Sequence, residues 1–205
     1  PTAPPAPPAI DASLGVGMVG GVKAFILLLV VALVGCASTP DKKPLIADPI
    51  VEKHIRKELK KAEGELTKVD LAKVKELFFS DKNLTDASLK EVAKLNQLTL
   101  LRLHFAQITD AGLKEVAKLQ QLKTLDLYAT QISDTGLKEV AKMKQLEWLG
   151  LNQCGKITDA GLKEVAKLKQ LTFLGLPVNA KITKKSWAEL RQALPKCEIL
   201  SNTTN

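Results

Sequence analysis

The chain has 205 residues, 25% of them charged and 45% hydrophobic, and carries a formal net charge of +8. That length and balance suit one globular domain with a tail, and they exclude wholesale disorder. Aromatics make up only 4%, too few for a sandwich packed on aromatic side chains, and three Cys with two His exclude a disulfide scaffold and argue against a structural zinc site.

Residues 1–17 open with a Pro/Ala-rich run to Pro8 that cannot build a core. With Met18 as the expected start, they are expected to be untranslated or disordered. From Met18 onward, Lys23 precedes an apolar run from Ala24 to Val34, and Leu33-Val34-Gly35-Cys36 closes it. Such a run falls short of a membrane span and suits the apolar region of a signal peptide. The Leu-Val-Gly-Cys ending resembles the bacterial lipoprotein signal. That resemblance implies a signal peptide over 18–35, cleavage before Cys36, and a diacylglyceryl thioether on the Cys36 sulfur. The other reading is an uncleaved anchor helix. Acyl chains contribute about 0.8 kcal/mol per buried CH₂, so two or three hold a protein stably on a bilayer. Residues 36–49 then read as the lipidated Cys and a polar tether punctuated by Pro40, Pro44 and Pro49. Ala37, rather than Asp, follows Cys36, which by the enterobacterial sorting rule favours the outer over the inner membrane. The expected location is the bacterial cell envelope.

Val51, Ile55, Leu59, Ala62 and Leu66 recur at near-helical spacing in a Lys/Glu-rich stretch, predicting an N-terminal capping helix over 50–67. Repeats follow over 68–186. The block D-A-G-L-K-E-V-A-K-L at 110–119 recurs letter for letter at 159–168, and 86–95 and 134–143 differ from it at one and two positions. The apolar residue ahead of each block falls at Leu84, Ile108, Ile132, Ile157 and Ile182, at spacings of 24, 24, 25 and 25. Between blocks runs L-x-x-L-x-L-x-x-N/C-x-L. It reads Leu98, Leu101, Leu103, Ala106, Ile108 in the second unit and Leu122, Leu125, Leu127, Thr130, Ile132 in the third. The fourth has Leu146, Leu149, Leu151, Cys154, Ile157, and the fifth Leu171, Leu174, Leu176, Asn179, Ile182. The first is degraded: Val74, Leu77, Phe79, Lys82, Leu84.

Each L-x-L predicts a short strand with alternate side chains buried, and each D-A-G-L-K-E-V-A an amphipathic helix with Leu113, Val116 and Ala117 facing inward. Thr109-Asp110 supplies cap oxygens at the helix start. One unit cannot bury its own apolar face, but a stack can. The expected fold is therefore α/β: a leucine-rich repeat solenoid, a right-handed β-α superhelix with a short parallel sheet on the concave face and helices on the convex face. A C-terminal cap is expected over 187–205. It comprises a helix through Trp187, Leu190 and Leu194, stopped by Pro195, and a closing strand with Cys197 and Ile199 at its L-x-L positions.

The region from about Leu66 to Leu200 resembles bacterial leucine-rich repeat proteins with an Ile-Thr-Asp-Ala-Gly-Leu helix signature. It is also similar to the cysteine-containing repeat subclass of F-box proteins, although no F-box segment is visible. The A-L-P-K-C-E-I ending at 193–199 resembles the close of envelope proteins from planctomycete-like bacteria. The resemblance implies a binding scaffold without naming a partner.

Chemistry is sparse. Cys154 reads as a buried turn residue and Cys197 as a core strand residue. They lie two rungs apart, roughly 10 Å at ~4.8 Å per strand, beyond the ~7 Å a disulfide spans, so two free, inert thiols are expected. His104 falls on a concave strand and His54 on the capping helix, neither beside a Ser or Cys. Asp86, Asp110, Asp134 and Asp159 form a carboxylate ladder whose default role is helix capping. No phosphate loop or metal-ligand motif is visible. No catalytic residue, cofactor or metal is therefore expected, and the chain is not expected to be an enzyme.

Two lysine columns line the helices, Lys90, Lys114, Lys138, Lys163 and Lys94, Lys118, Lys142, Lys167, with a glutamate column, Glu91, Glu115, Glu139, Glu164, beside the first. They read as a solvated face. Adhesion to an anionic surface is the alternative. Nucleic acid is not expected, since that face offers no aromatic or Arg contacts. On the concave face, one column reads Glu76, Leu100, Thr124, Trp148, Phe173. The next reads Phe78, Arg102, Asp126, Gly150, Gly175, and the third Ser80, His104, Tyr128, Asn152, Pro177. Exposed aromatics beside Arg are common interface anchors. The expected partner-binding residues are Phe78, Leu100, Arg102, His104, Asp126, Tyr128, Trp148, Asn152 and Phe173. The expected partner is a protein or peptide, met by a monomer held to a membrane by its lipid.

Overall fold

The computed structural model describes residues 43–177 and 181–201. The signal segment, Cys36, most of the tether, Asn179 and the last four residues of the C-terminal cap lie outside the described residues. The repeat grammar produces one six-stranded sheet, all parallel, with strand order equal to chain order. Its strands are β1 (Glu76–Phe79), β2 (Leu100–Leu103), β3 (Thr124–Asp126), β4 (Trp148–Gly150), β5 (Phe173–Leu176) and β6 (Glu198–Ser201). The helices α3 (Asp86–Val92), α4 (Asp110–Val116), α5 (Asp134–Val140) and α6 (Asp159–Val165) follow β1 to β4, and α7 (Lys184–Ala193) follows β5. The chain is an α/β leucine-rich repeat solenoid.

Register is held by the leucines. Leu77, Leu101, Leu125, Leu149, Leu174 and Ile199 are successive partners across the sheet. The first five are buried, as are Leu103, Leu127, Leu151 and Leu176 two residues on. A slip of one residue would turn these side chains to the opposite face. At about 2 kcal/mol for each Leu taken out of water, that penalty leaves one register.

Each helix of the repeats is seven residues long, too short to persist alone. Packing supplies what length does not: Leu113 with Val116, Leu137 with Val140 and Leu162 with Val165 turn inward at i, i+3. Thr109, Ser133 and Thr158 cap α4, α5 and α6, each hydroxyl accepting the N–H two residues on.

The aspartate ladder does something other than the capping expected of it. Asp86 accepts both the N–H and the hydroxyl of Thr109 in the next repeat, at 2.8 and 2.7 Å. Asp110 takes Ser133 (2.8 and 2.6 Å), Asp134 takes Thr158 (2.8 and 2.6 Å), and Asp159 takes Thr183 (2.8 and 2.9 Å). The carboxylates therefore fasten one repeat to the next, and the Thr or Ser does the capping. This also explains the glycine inside α4, α5 and α6. A Cβ on Gly136 would sit 2.5 Å from Asp110 Oδ1 and 2.9 Å from a Leu113 methyl, and Gly112 and Gly161 are as crowded.

The N-terminal cap departs from one helix over 50–67. Helix α1 (Pro49–Leu59) ends where Lys60 turns left-handed and gives its N–H to Arg56 and Lys57 carbonyls. Ala62 is exposed, and Leu66 is buried from a loop. A second helix, α2 (Lys68–Lys73), starts from a Thr67/Asp70 capping box. The Lys61 ammonium 2.8 Å away and the Thr67 N–H and hydroxyl hold the Asp70 carboxyl well below the usual carboxylate range. Val51 and Ile55 of α1 are buried, and His54 packs on Phe79 with ring centroids 4.5 Å apart.

At the other end, the closing strand is shifted two residues from expectation. Ile199 and Ser201, rather than Cys197 and Ile199, match Leu174 and Leu176. Cys197 lies half-buried just before the strand. Its thiol is pushed up to about 11 by burial and by the neighbouring Glu198 charge. Cys154 is fully buried. It and Thr130 both donate to the Leu127 carbonyl, at 3.1 and 2.8 Å. Burial raises the Cys154 thiol as well. Both thiols are free.

Candidate functional site

The face of the sheet opposite the helices is built by the alternate residues of each strand, so its columns follow directly from the leucine register. Along the first column, Trp148 and Phe173 are cross-strand partners whose rings stack at 4.9 Å and an interplanar angle of 5°. In the second, Phe78 and Arg102 are partners, and the guanidinium lies 5.1 Å from the Phe78 ring centroid. Phe78 is 44% exposed. In the third, His104 and Tyr128 are in ring contact at 5.5 Å.

Small residues in the second column make this face possible. A Cβ on Gly150 would meet the Asp126 carboxylate at 2.5 Å and the Trp148 indole at 2.8 Å. The indole therefore leans from its own column over Gly150, into the row of Arg102 and Asp126. Gly175 gives way in the same manner to Asn152, whose amide points toward the Leu176 carbonyl at 3.4 Å.

Asp126 is not presented to solvent as its strand position suggested. It is only 9% exposed. One carboxylate oxygen bonds His104 Nε2 at 2.8 Å, and the other accepts the Tyr128 N–H at 3.2 Å. The carboxylate thus fixes the imidazole one strand away. No Ser, Thr or Cys hydrogen-bonds that ring among the described residues. Leu100, Tyr128, Trp148, Asn152 and Phe173 are half-buried on the open face.

Two contributors escaped the strand pattern. Phe105, 45% exposed, follows β2 in a left-handed conformation (φ 58°) and meets Tyr128 edge-on at 5.3 Å. Leu200, 48% exposed, extends the second column as the partner of Gly175. Phe105 sits in the turn after the L-x-L, where a repeat template assigns no face. Leu200 was hidden by the shift in the last strand.

On the helical face one lysine column is paired with glutamates and the other is not. Lys94, Lys118, Lys142 and Lys167 pair with Glu91, Glu115, Glu139 and Glu164 at 2.6–2.8 Å. Lys90, Lys114, Lys138 and Lys163 are exposed and pair with no carboxylate among the described residues. Glu91 is also bonded by the Ala47 N–H at 2.8 Å. Burial pushes its carboxyl up, but the Lys94 and Ala47 bonds bring it below its ordinary value. No group of three or more His, Cys, Asp or Glu that could hold a metal ion occurs among the described residues, and none of their helices is long and apolar enough to cross a membrane.

A strand laid down every 24 or 25 residues, a leucine column behind it and a short capped helix after it define a leucine-rich repeat protein. The sequence matches no family model and no curated protein. Among solved structures, the C-terminal domain of a Caenorhabditis elegans tropomodulin superposes with a TM-score of 0.51. It is 12% identical, over 71% of this chain and 92% of that one, and bears on the fold alone. Internalin C2 of Listeria monocytogenes is 24% identical over 76% of this chain and 84% of its own, with a TM-score of 0.44. A leucine-rich repeat protein of Leptospira interrogans is 26% identical over 64% of this chain, with a TM-score of 0.42; this chain spans 38% of its length.

Proposed function

We propose that this protein is a non-catalytic binding module that presents the open face of its sheet to a protein or peptide, and that lipidation at Cys36 holds it at a bacterial envelope membrane. The observation that carries the binding reading is the paired aromatic surface: Trp148 stacked on Phe173, and Phe78 under Arg102, on a face that nothing covers among the described residues. Large, rigid aromatic and Arg side chains concentrate binding energy when a partner removes them from water. The mechanism is passive. The parallel sheet fixes the spacing of these anchors, and the repeat clamps keep that spacing rigid. The lipid reading rests on the Leu33-Val34-Gly35-Cys36 pattern.

The test is capture of envelope proteins on the full chain and on a Trp148→Ala/Phe173→Ala variant with an unchanged melting curve. A partner retained by the wild type and lost by the variant is the expected result. Equal capture by both, or none by either, would sink the reading. Mass analysis of the N-terminal fragment tests the acyl chains on Cys36, and an unmodified thiol there would refute the anchor. A second reading, adhesion to an anionic surface, has one observation in its favour: the unpaired column Lys90, Lys114, Lys138 and Lys163. Binding released by moderate salt and indifferent to Trp148 would support it.

A further inference from the structure

Arg102 stands on the open face with a buried polar atom that finds no counterpart among the described residues. Its Nε is buried and bonds nothing, and its guanidinium forms no hydrogen bond or ion pair among the described residues. The nearest acidic candidate by register, Asp126, is its strand partner, yet that carboxylate is committed to His104 and the Tyr128 N–H. Glu76, on the neighbouring strand, is exposed and makes no ion pair either. The guanidinium instead lies over the Phe78 ring, its carbon 5.1 Å from the centroid, a placement that restricts the side chain while leaving its terminal nitrogens uncommitted. A planar fork of donors so fixed matches a carboxylate's two oxygens.

We propose that the open face recognises an acidic peptide: Arg102 takes a carboxylate of the partner while the Trp148–Phe173 stack takes a large apolar side chain. This rests on the binding reading above and names the chemistry of that partner. The spacing follows from the sheet. Arg102 is on β2 and Trp148 on β4, two strands apart, about 10 Å. Because Gly150 lets the indole lean into the row of Arg102, little offset along the strands is added. An extended peptide crossing the sheet advances about 3.3 Å per residue. The acidic and apolar residues of the partner are therefore separated by about three positions. His104, fixed by Asp126 and backed by Tyr128, lies beside the acidic end. The formal net charge of +8 favours encounter with an acidic partner but does not select a sequence.

The experiment selects displayed random twelve-residue peptides on the full chain, on Arg102→Met, on Trp148→Ala/Phe173→Ala, and on Lys114→Gln/Lys138→Gln. Met keeps an unbranched apolar stem over Phe78, and Arg102→Gln serves as a second variant if Met perturbs the melting curve. The wild type is expected to enrich peptides with Asp or Glu about three residues from an aromatic or large aliphatic residue. Arg102→Met should lose the acidic preference, keep the apolar one, and bind a wild-type-selected peptide about ten- to a hundredfold more weakly. The aromatic double variant should lose the apolar preference, and the lysine variant should change neither. An acidic preference that survives at Arg102→Met, or disappears in the lysine variant, would overturn the assignment of Arg102 while leaving the aromatic face as a binding surface. Enriched peptides with no acidic residue would do the same. No enrichment on any protein would overturn both readings together.

Discussion

The Asp48 carboxylate accepts the Ser88 hydroxyl at 2.6 Å across forty residues of chain. Its other oxygen accepts the Ile50 and Val51 N–H groups at the start of α1. Ser88 stands where the later repeats have Gly112, Gly136 and Gly161, each pressed by the aspartate of the repeat before. The first repeat has no predecessor, so a serine fills the space and the cap supplies the carboxylate. At the other end a serine, Ser186 of α7, again takes the glycine's place, and its N–H bonds the Thr183 hydroxyl. Asp48→Ala should cost about 1–2 kcal/mol, a lost helix cap plus an orphaned buried hydroxyl, read as a lower urea midpoint. An unchanged midpoint would show that the contact does not fasten the cap.

Gly136→Ala separates helix propensity from packing. In an exposed helix the change would gain about 1 kcal/mol. Here the new methyl meets Asp110 Oδ1 at 2.5 Å and Leu113 at 2.9 Å. The expected outcome is a net loss of about 1–3 kcal/mol from overpacking. In a double-mutant cycle with Asp110→Ala, part of that loss should vanish, because the carboxylate it strikes is gone. Strict additivity would contradict the clamp.

Acid should loosen the ends of the array first. Asp159 is held below its ordinary value chiefly by the Thr183 N–H, and Asp70 by Lys61 and Thr67. Glu91 is brought below it by Lys94 and Ala47 in spite of its burial. A carboxyl lowered in the folded state stabilises it at pH above the unfolded value, about 4, and loses that contribution as pH falls through the folded value. Amide protection factors, corrected for the pH-dependent intrinsic rate, should therefore fall first around α1, α2 and α7 as pH drops. Uniform exchange across all repeats would refute this.

The two described thiols should react in order of exposure. At pH 8, iodoacetamide should modify half-buried Cys197 slowly, and faster as pH nears the thiol's value of about 11. Cys154, buried and bonded to the Leu127 carbonyl, should stay unmodified until the chain unfolds. Site-resolved mass spectrometry separates them, and native-state labelling of Cys154 would mean that its repeat opens locally.

The open face tests the glycines as well. Gly150→Ala should push the Trp148 indole off its stack on Phe173, shifting Trp emission while the L-x-L core stays folded. An emission spectrum identical to wild type would mean that the indole does not lie over Gly150.

The sequence by itself determined the solenoid, the register of β1 to β5 and the identity of most open-face residues. The reason is physical: a leucine at every second strand position admits one burial pattern, and a period of 24 or 25 residues repeats it. What lies between repeats was decided only by the tertiary structure. The helix-start aspartates resemble caps until the next repeat's Thr or Ser arrives beneath them, and Asp126 looks exposed until His104 approaches from the neighbouring strand. Where the repeat ends, the template stops informing: α1 breaks at Lys60, and the last strand sits two residues later than its L-x-L suggests. Arg102 marks the same boundary on the functional side, since a missing partner is visible only once every neighbour has been placed.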